Sequence, residues 1–346
     1  MLDVDGEAGG GQVVRTAVSL AALTGTPVRV TNVRGARPDP GLRPQHCASI
    51  RAVASCCDAE CDGVEVASEA FSFDPDAVTA GEYAVDIGTA GSVTLLFDAL
   101  LPLAAVLDDP LSVSATGGTD VKWSPTVGHY RTVKLPLAAR FGFEAAVSVE
   151  RTGFYPAGGG TATLRVSPST LEPATLLERG ALRGVAVDSK AAESLRESEV
   201  ADRQAAAAVE ALEDRDVPVT DTAVRYVETA SPGSAVLLRA EYDGTVAGFD
   251  SLGERGLPAE EVAARAVEAF DEFRTGAGAV DEHTADQLLV PLALAGGRVR
   301  VPSVTAHVET NREVLDAFGG DVRVERGEDG VTLTSDGALG SRVARS

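Results

Sequence analysis

The sequence repeats one order of secondary structure three times, and this repeat limits the fold more than any other feature. In each copy a polar or glycine-rich turn precedes a helical pattern, a strand, a loop, a second helical pattern and two further strands. The copies span residues 10–77, 84–167 and 282–335. Helices and strands that are apolar on one face must cover each other. We therefore predict an α/β fold (an α+β two-layer sandwich) in which three βαβαββ repeats form one large domain.

The pattern also predicts the bounds of individual strands and the position of His307. In the first copy, alternation predicts a strand over residues 62–68 and another over residues 70–75. In the third copy, the pattern predicts a strand over residues 298–302 and a helix from residue 309. His307 is therefore expected in the loop between them.

Residues 180–277 interrupt the repeat with a pattern of their own. This segment contains strand patterns at 182–189, 222–229 and 234–242, an alanine-rich helix over about residues 193–213 and a helix over 258–273. Glycines at both edges are typical of linkers. We predict a discontinuous large domain of residues 1–179 and 278–346, and a smaller inserted α/β domain of residues 180–277.

The charge of the chain restricts its partners. The formal net charge is −22, from 30 basic and 52 acidic residues, and lysine occurs at only three positions, Lys122, Lys134 and Lys190. Such a surface repels itself unless salt screens it, which favours a halophilic source. It argues against general affinity for nucleic acid, although it leaves room for a locally basic cleft.

The sequence also gives expectations about location and metal content. The N-terminus lacks a basic segment followed by an apolar one, and the longest apolar run, Val93–Leu107, contains Asp98 and Pro102. We expect a cytoplasmic protein with no membrane span. The four cysteines lie between Cys47 and Cys61 without the paired spacing of a zinc site, so reduced thiols are expected. The sequence permits a homodimer but does not determine the assembly state.

Two stretches suit anions. GGGQVVR places three glycines before a helix with Arg15 one turn inside it, where free N–H groups and the helix dipole attract negative charge. The alternative is a glycine turn that only starts a helix. RGARPDPGLRPQH carries Arg34 and Arg37 before Gln45 and His46. Arginine forks suit phosphate oxygens, and clustered arginines are unusual in so acidic a chain, although a solvated loop would also contain them.

Two further stretches carry acids and histidines. EHTADQ places His283, Asp286 and Gln287 at a helix start, where Asp286 could hold Mg²⁺ or Mn²⁺ or only interact with the helix dipole. SVTAHVETN presents His307 after a strand, as a nucleophile, a base or a surface residue.

One stretch is specific enough to indicate a family. RTGFYPAGGG (residues 151–160) closely resembles the signature of the RNA 3′-terminal phosphate cyclase family. Other motifs match in the same order over about residues 5–335: GGGQVVRTA, R-x-x-R-x-x-PGL-x-x-QH, IGTAGS, GGTD, LGERG-x-PAE, ADQL-x-x-P-x-AL and H-x-x-TN. The FYPAGGG glycines are expected either to touch substrate or to let backbone segments pack closely.

The resemblance implies a reaction. Members of the family use ATP to convert the 3′-phosphate end of an RNA into a 2′,3′-cyclic phosphate. A histidine first takes AMP from ATP, AMP then passes to the RNA 3′-phosphate as an anhydride, and the neighbouring 2′-hydroxyl displaces AMP. The implied partners are ATP, RNA 3′-phosphate ends and Mg²⁺ or Mn²⁺, with no membrane.

The resemblance also assigns residues. His307 matches the nucleophilic histidine. Phe249 is a weaker suggestion for stacking on adenine, and Pro125 is expected to face it. The residues implied in binding ATP, phosphate or substrate are Arg15, Arg34, Arg37, Gln45, His46, Pro125, His283, Thr284, Ala285, Asp286 and Gln287, and those implied near metal are Asp286 and Glu7.

This chain departs from the family pattern at two positions. Ala8 stands where a glutamate usually precedes GGGQ, with Glu7 one place earlier, and Asp98 stands where glutamine is common. Both put ordinary use of ATP in doubt and keep a non-catalytic cyclase-like protein of ribosome assembly as an alternative, although that branch lacks the nucleophilic histidine. An enolpyruvyl transferase with a related repeated architecture would leave H-x-x-TN and FYPAGGG unexplained.

Overall fold

A computed structural model of the chain describes residues 1–327 and 330–343. Within these residues, sixteen strands form four sheets of four strands each. Three of the sheets share one topology, in which the first strand pairs in parallel with the second, and the second and third strands each pair antiparallel with the fourth. The predicted α/β class with three repeats is confirmed.

Unit 1 has the sheet order β1-β2-β4-β3. Its first helix is buried on nearly every side, as expected for the apolar run VVRTAVSLAAL, and it ends at Gly25, whose φ of +59° suits glycine. The elements are β1 (Leu2–Asp5), α1 (Gly11–Thr24), β2 (Val28–Thr31), α2 (Pro44–Cys57), β3 (Glu60–Asp62) and β4 (Phe71–Asp74).

Unit 2 repeats this order as β5-β6-β8-β7. Its second helical region is continuous from Val127 to Ala139 but contains a π-helical stretch, Tyr130–Lys134. The elements are β5 (Gly81–Asp86), α3 (Val93–Leu100) with a 3₁₀ extension (Leu101–Ala105), β6 (Leu111–Gly117), α4 (Val127–His129), α5 (Leu135–Ala139), β7 (Ala145–Arg151) and β8 (Gly160–Val166).

Unit 3 is split by the inserted segment. Its first strand, β9 (Ala174–Leu176), precedes the insertion and pairs in parallel with β14 (Gly297–Val301), which follows it. The sequence pattern starts this unit only at residue 282, because a three-residue strand carries too little alternation to be recognised. The remaining elements are α8 (Glu282–Gln287), α9 (Leu289–Ala295), α10 (Ala306–Ala317), β15 (Arg323–Gly327) and β16 (Gly330–Ser335).

The inserted segment forms the fourth sheet, with strand order β11-β10-β12-β13. Its helices α6 and α7 pack on this sheet around a separate hydrophobic cluster that includes Val236, Phe249 and Phe270. The elements are β10 (Leu182–Ala192), a 3₁₀ turn (Glu193–Ser198), α6 (Val200–Glu213), β11 (Val219–Val227), β12 (Ser234–Tyr242), β13 (Val246–Leu252) and α7 (Ala259–Thr275).

Among the described residues the interior has two large hydrophobic clusters and a small third one of Phe154, Ala192 and Ala235. The larger of the two large clusters joins helices of all three units, since α1 contacts α2, α3 and α10, and the other belongs to the insertion. At the edge of the insertion, Arg179 donates hydrogen bonds to the carbonyls of Phe273, Arg274 and Gly276, so the entering and leaving chains lie side by side. The boundaries at residues 179/180 and 277/278 remain predictions, which this division supports.

Some predicted elements were wrong or missing. Residues 63–68 form turns instead of a strand: Gly63 and Ala67 have φ values of +72° and +69°, so the Val-Glu-Val alternation between them is coincidental. The alanine-rich helix begins at Val200, and the sequence pattern located neither β13 nor the first strands of units 1 and 2, β1 and β5. Among the described residues, no helix is long and apolar enough to cross a membrane.

Candidate active site

A cleft of about 1010 Å³ lies where the three units and the insertion meet. Helix α1 contributes Gln12 and Arg15, and the insertion contributes the wall from Gly248 to Leu252. Of the predicted site residues, it is lined by Arg15, Pro125, His283, Asp286, Gln287 and His307. Units 1, 2 and 3 therefore each supply part of one cavity.

His307 lies in the first turn of α10 and not in a loop, so that expectation was wrong. Helix α10 begins at Ala306 because the Thr305 hydroxyl accepts a hydrogen bond from the Val308 N–H at 3.2 Å and caps it. The His307 side chain is 53% exposed, and its Nδ1 lies 3.3 Å from Oδ2 of Asp286. The imidazole is thus open to the cleft and contacts a carboxylate.

The carboxylate contact determines which ring nitrogen can react. An ionised carboxylate only accepts hydrogen bonds, so the proton of a neutral His307 ring belongs on Nδ1. The lone pair then lies on Nε2. Asp286 can hold the ring in this tautomer and stabilise the positive charge that develops when Nε2 attacks an electrophile.

Two buried hydrogen bonds fix helix α10 on α1. Gln12 Nε2 donates to Thr310 Oγ1 at 3.0 Å, and Thr16 Oγ1 donates to Asn311 Oδ1 at 3.0 Å. The TN of the H-x-x-TN motif therefore faces α1, one turn beyond the imidazole. These polar contacts, buried between helices of different units, set where His307 points.

Helix α8 presents three of its predicted residues to the cleft and buries two. His283, Asp286 and Gln287 line the cleft. Thr284 and Ala285 are buried, and Thr284 instead satisfies the capping carboxylate of Asp281, to which its N–H donates at 2.8 Å and its hydroxyl at 2.6 Å. A contact between these two side chains and nucleotide remains a prediction without support in this geometry.

A buried lysine joins Asp98 to helix α8. Lys134 is 2% exposed, and its Nζ lies 3.5 Å from Asp98 Oδ1 and donates to the Gln287 carbonyl at 2.5 Å. Burial raises the pKa of Asp98, while Lys134 and Arg15 oppose that rise. Burial likewise lowers the pKa of Lys134, against Asp98 and Asp286. Asp98 therefore does not face the cleft as an uncompensated carboxylate.

The start of α1 collects basic and neutral donors. Gly10 precedes the helix without a side-chain cap, which leaves N–H groups of the first turn free. A Cβ atom on Gly11 would lie 2.3 Å from His46 Nε2 and 3.2 Å from an Arg15 nitrogen, and one on Gly10 would lie 3.6 Å from an Arg37 nitrogen. Only glycine leaves space here, and the donors around it suit an anion.

His46 stays neutral in this basic setting. Burial, with Arg15, Arg34 and Arg43 nearby, lowers its pKa from the ordinary 6.5 to about 3. Its Nδ1 accepts the Arg43 N–H at 3.0 Å, so the ring proton belongs on Nε2, next to Gly11. His46 is a neutral hydrogen-bond donor there.

Arg34 and Gln45, two other predicted ligands, form hydrogen bonds with protein backbone groups. Arg34 donates to the carbonyls of Asp39 and Gly41 at 2.9 and 3.0 Å. The Gln45 side-chain oxygen accepts the Ser92 N–H at 3.2 Å, and so fixes the IGTAGS loop. These two side chains shape the loops around the site, and direct binding of phosphate by them remains a prediction.

The predicted metal site has few ligands. Glu7 is exposed, lies against Gly35 and does not line the cleft, and Ala8 offers no donor. In the described part of the chain, no group of three histidine, cysteine, aspartate or glutamate residues could hold a metal ion. Asp286 alone fits a Mg²⁺ or Mn²⁺ ion held mainly by nucleotide phosphates and water, which is how Mg²⁺ commonly binds.

Two of the three FYPAGGG glycines, Gly158 and Gly160, pack against other backbone, as does Gly153 just before them. A Cβ on Gly153 would lie 2.6 Å from the Gly117 carbonyl oxygen, one on Gly158 would lie 2.8 Å from Ala90 Cα, and one on Gly160 would lie 2.5 Å from the Gly153 nitrogen. The RTGFYPAGGG, GGTD and IGTAGS motifs therefore meet backbone to backbone. No residue from 152 to 160 lines the main cleft, which favours the structural role.

Sequence reasoning missed several lining residues. Gln12, Lys134, Asn311 and Trp123 all line the cleft. His129 does too, and its buried Nδ1 has no hydrogen-bond partner among the described residues. The repeat could have indicated His129, because it lies in the first turn of the helix that follows its unit's second strand, as His307 does. Phe249 lines the wall but packs on Phe270 and Phe273, inside the insertion's core.

The repeated α/β units and a cleft with an imidazole–carboxylate pair beside a cationic helix start define a class of protein built to act on a phosphorylated ligand. Comparison with known proteins gives the family. The family model "RNA 3′-terminal phosphate cyclase" matches residues 6–324. The chain therefore belongs to the RNA 3′-terminal phosphate cyclase family.

Similar proteins span nearly the whole chain. One from Halobacterium salinarum, named RNA 3′-terminal phosphate cyclase, is 48% identical over 343 residues, covering 96% of this chain and 99% of the relative. Relatives with the same name from Methanopyrus kandleri and Pyrococcus furiosus are 42% and 38% identical, over 96% and 93% of this chain and 97% and 94% of their own.

Proposed function

We propose that this chain is an ATP-dependent RNA 3′-terminal phosphate cyclase that works through a covalent histidine–AMP. The observation that carries the proposal is the pairing of His307 Nδ1 with Asp286 Oδ2 in the shared cleft, which leaves Nε2 as the free nucleophile. The family and the similarly named relatives support the overall reaction.

In the first step, His307 Nε2 attacks the α-phosphorus of ATP. A P–N bond forms, the bond from that phosphorus to the bridging oxygen of the β-phosphate breaks, and pyrophosphate leaves. Asp286 stabilises the imidazolium character of the ring through Nδ1–H. A phosphoramidate made this way remains a good donor of AMP.

In the next two steps AMP moves to RNA and is displaced. An oxygen of the RNA 3′-phosphate attacks the phosphorus of AMP, the P–N bond breaks and His307 recovers its lone pair. The 2′-hydroxyl then attacks the 3′-phosphate, closes the cyclic ester, releases AMP and gives up its proton. ATP is needed because a bare phosphate oxygen leaves poorly, whereas AMP leaves readily.

The basic start of α1 serves the phosphates in this proposal. Arg15 lines the cleft beside Asp98 and Asp286, and Arg37 and the Nε2–H of His46 lie next to Gly10 and Gly11. Arg15 and Arg37 can neutralise phosphate charge, while His46 and the free N–H groups of the helix can donate hydrogen bonds to phosphate oxygens. A divalent metal ion, held by Asp286 and phosphate oxygens, would add Lewis-acid stabilisation of the same charge. Pro125 and His283 are proposed to face adenine.

The experiment that tests the proposal is transfer of label from ATP labelled at its α-phosphate, in molar salt with Mg²⁺ or Mn²⁺. We expect an acid-labile, alkali-stable labelled protein that His307→Ala abolishes while folding is kept. Salt belongs in the assay because the net charge of −22 and the Halobacterium relative favour a halophilic source. Absence of label in every metal and salt would support the non-catalytic alternative instead.

The proposal also includes the cellular location and the assembly state. A cytoplasmic location follows from the proposed substrates, since ATP and RNA occur there together. A homodimer stays a prediction, for which a sedimentation measurement is the test.

A further inference from the structure

The rim of the cleft carries an unusual side chain. Trp123, the only tryptophan of the chain, lines the cleft and is 94% exposed. Its φ of +63° is rare for a bulky residue. A large aromatic ring exposed at the mouth of the cleft offers a face on which a nucleic-acid base can stack.

The loop beneath Trp123 is held on both sides. Asp120 accepts from Lys190 at 2.9 Å on each carboxylate oxygen, and Lys122 pairs with Glu254 at 3.0 Å. On the other side, the Thr94 hydroxyl donates to the Pro125 carbonyl at 2.9 Å. The Thr126 N–H donates to Asp250 at 2.8 Å. The backbone is fixed and the ring alone projects, so a ligand that stacks on it loses little loop entropy.

The size of the cleft indicates which of the two substrates, ATP or RNA, reaches Trp123 at the rim. A volume of about 1010 Å³ is at the upper end for one small ligand, so ATP and a terminal nucleotide would fill it. An RNA strand whose 3′ end reaches His307 must continue over the rim. ATP has no such extension, and the lining residues proposed for its adenine, Pro125 and His283, are other side chains.

The charge of the chain makes a non-ionic contact valuable. Contacts to RNA phosphates weaken steeply with salt, and a net charge of −22 disfavours the approach of a polyanion. Stacking of a base on an aromatic ring does not depend on counterion release, and every base has a face that can stack.

We propose that Trp123 binds the RNA substrate by stacking on a base near its 3′ end, as the strand leaves the cleft. The inference rests on the proposed function for the identity of the strand. Trp123 is a substrate-binding residue and takes no part in transfer of AMP to His307.

The test uses the intrinsic fluorescence of the unmodified protein, which reports on Trp123 alone. Titration with a 3′-phosphorylated oligoribonucleotide in molar salt should quench it saturably. The same strand with abasic riboses at its 3′-terminal positions should quench it far less. Quenching by ATP alone with none by RNA would overturn the inference and assign the ring to adenine, and concentration-dependent quenching without RNA would assign it to self-association.

Kinetics provide the second readout. Trp123→Ala should raise the KM for RNA roughly ten-fold or more, Trp123→Phe should keep most of the affinity, and labelling of His307 by ATP alone should not change. Tyr155→Ala is the matched control, because Tyr155 is also exposed, at 71%, but does not line the cleft. An unchanged KM in Trp123→Ala would overturn the inference.

These outcomes separate the two proposals. Loss of labelling in the wild-type protein would remove the proposed function, while the fluorescence titrations would still test stacking of RNA. Normal labelling with equal quenching by intact and abasic strands would remove only the role of Trp123.

Discussion

His46 and His307 occupy matching places in the repeat, yet their rings are prepared for opposite roles. Each lies in the first turn of the helix that follows the second strand of its unit. His46 is buried, its Nδ1 accepts a backbone N–H, and its proton belongs on Nε2. His307 is half exposed, its Nδ1 faces a carboxylate, and its Nε2 carries the lone pair. The partner of Nδ1, more than the position in the fold, determines which histidine can be a nucleophile.

Replacing each of the two histidines in turn is the strongest test of this comparison. His307→Ala should abolish transfer of label from ATP, whereas His46→Asn should still form the labelled protein at a reduced rate. Acid lability of the label after denaturing electrophoresis is the measurement, and circular dichroism checks that both variants fold. Labelling that survives in His307→Ala would show that His307 is not the nucleophile.

The tautomer itself can be tested by changing its partner. Asp286→Asn can donate to Nδ1 and so favours the proton on Nε2, as at His46. The adenylylation rate should fall about 10³- to 10⁴-fold, as in other enzymes whose imidazole loses its orienting carboxylate. Glu282→Gln is the control, since Glu282 lines the cleft but has no hydrogen bond to His307. Equal losses in the two variants would indicate a general effect of charge.

The helix that carries Asp286 can be disturbed without changing Asp286. Lys134→Leu leaves Asp98 buried without its cation and should lower the free energy of unfolding by about 3–5 kcal/mol. A double variant, Lys134→Leu with Asp98→Leu, should recover most of that stability, yet it lacks the bond to the Gln287 carbonyl and should remain slow in adenylylation. Denaturant titrations and labelling rates measure the two effects. Full recovery of both the stability and the labelling rate would show that Lys134 does not position α8.

The last test concerns the pH dependence of stability. The pKa of His46 is 6.5 in the unfolded chain and about 3 in the folded protein. Between these two pH values the unfolded chain binds a proton on His46 and the folded protein does not. Stability from this group is complete above pH 6.5 and is lost as the pH falls toward 3, by at most about 1.4 kcal/mol per pH unit. Denaturant titrations at several pH values should show a shallower dependence in His46→Asn. An unchanged slope would show that His46 is not held neutral.

The sequence could predict the three units because helices and strands with one apolar face have regular spacing. It also predicted some of the residues that meet at the cleft from α1, α8 and α10, among them Arg15, Asp286 and His307, but it missed Gln12 and Asn311. It did not locate the first strand of any unit (β1, β5 and β9), nor β13, nor the turn at residues 63–68. Lys134 was missed because its role depends on Asp98 and on the Gln287 carbonyl, which only the folded chain brings together. Arg34 and Gln45 have the right chemistry for phosphate but bind protein backbone.

The split of unit 3 has a consequence for the order of events during synthesis. Strand β9 leaves the ribosome before the insertion, but its partner β14 follows the whole of it. At roughly 5–20 residues per second, β9 waits on the order of 10 s for a partner. Units 1 and 2 and the insertion can form meanwhile, whereas α10 and His307 come later still. The proposed nucleophile is thus among the last parts to take its place, and we expect that a chain ending before His307 does not become adenylylated.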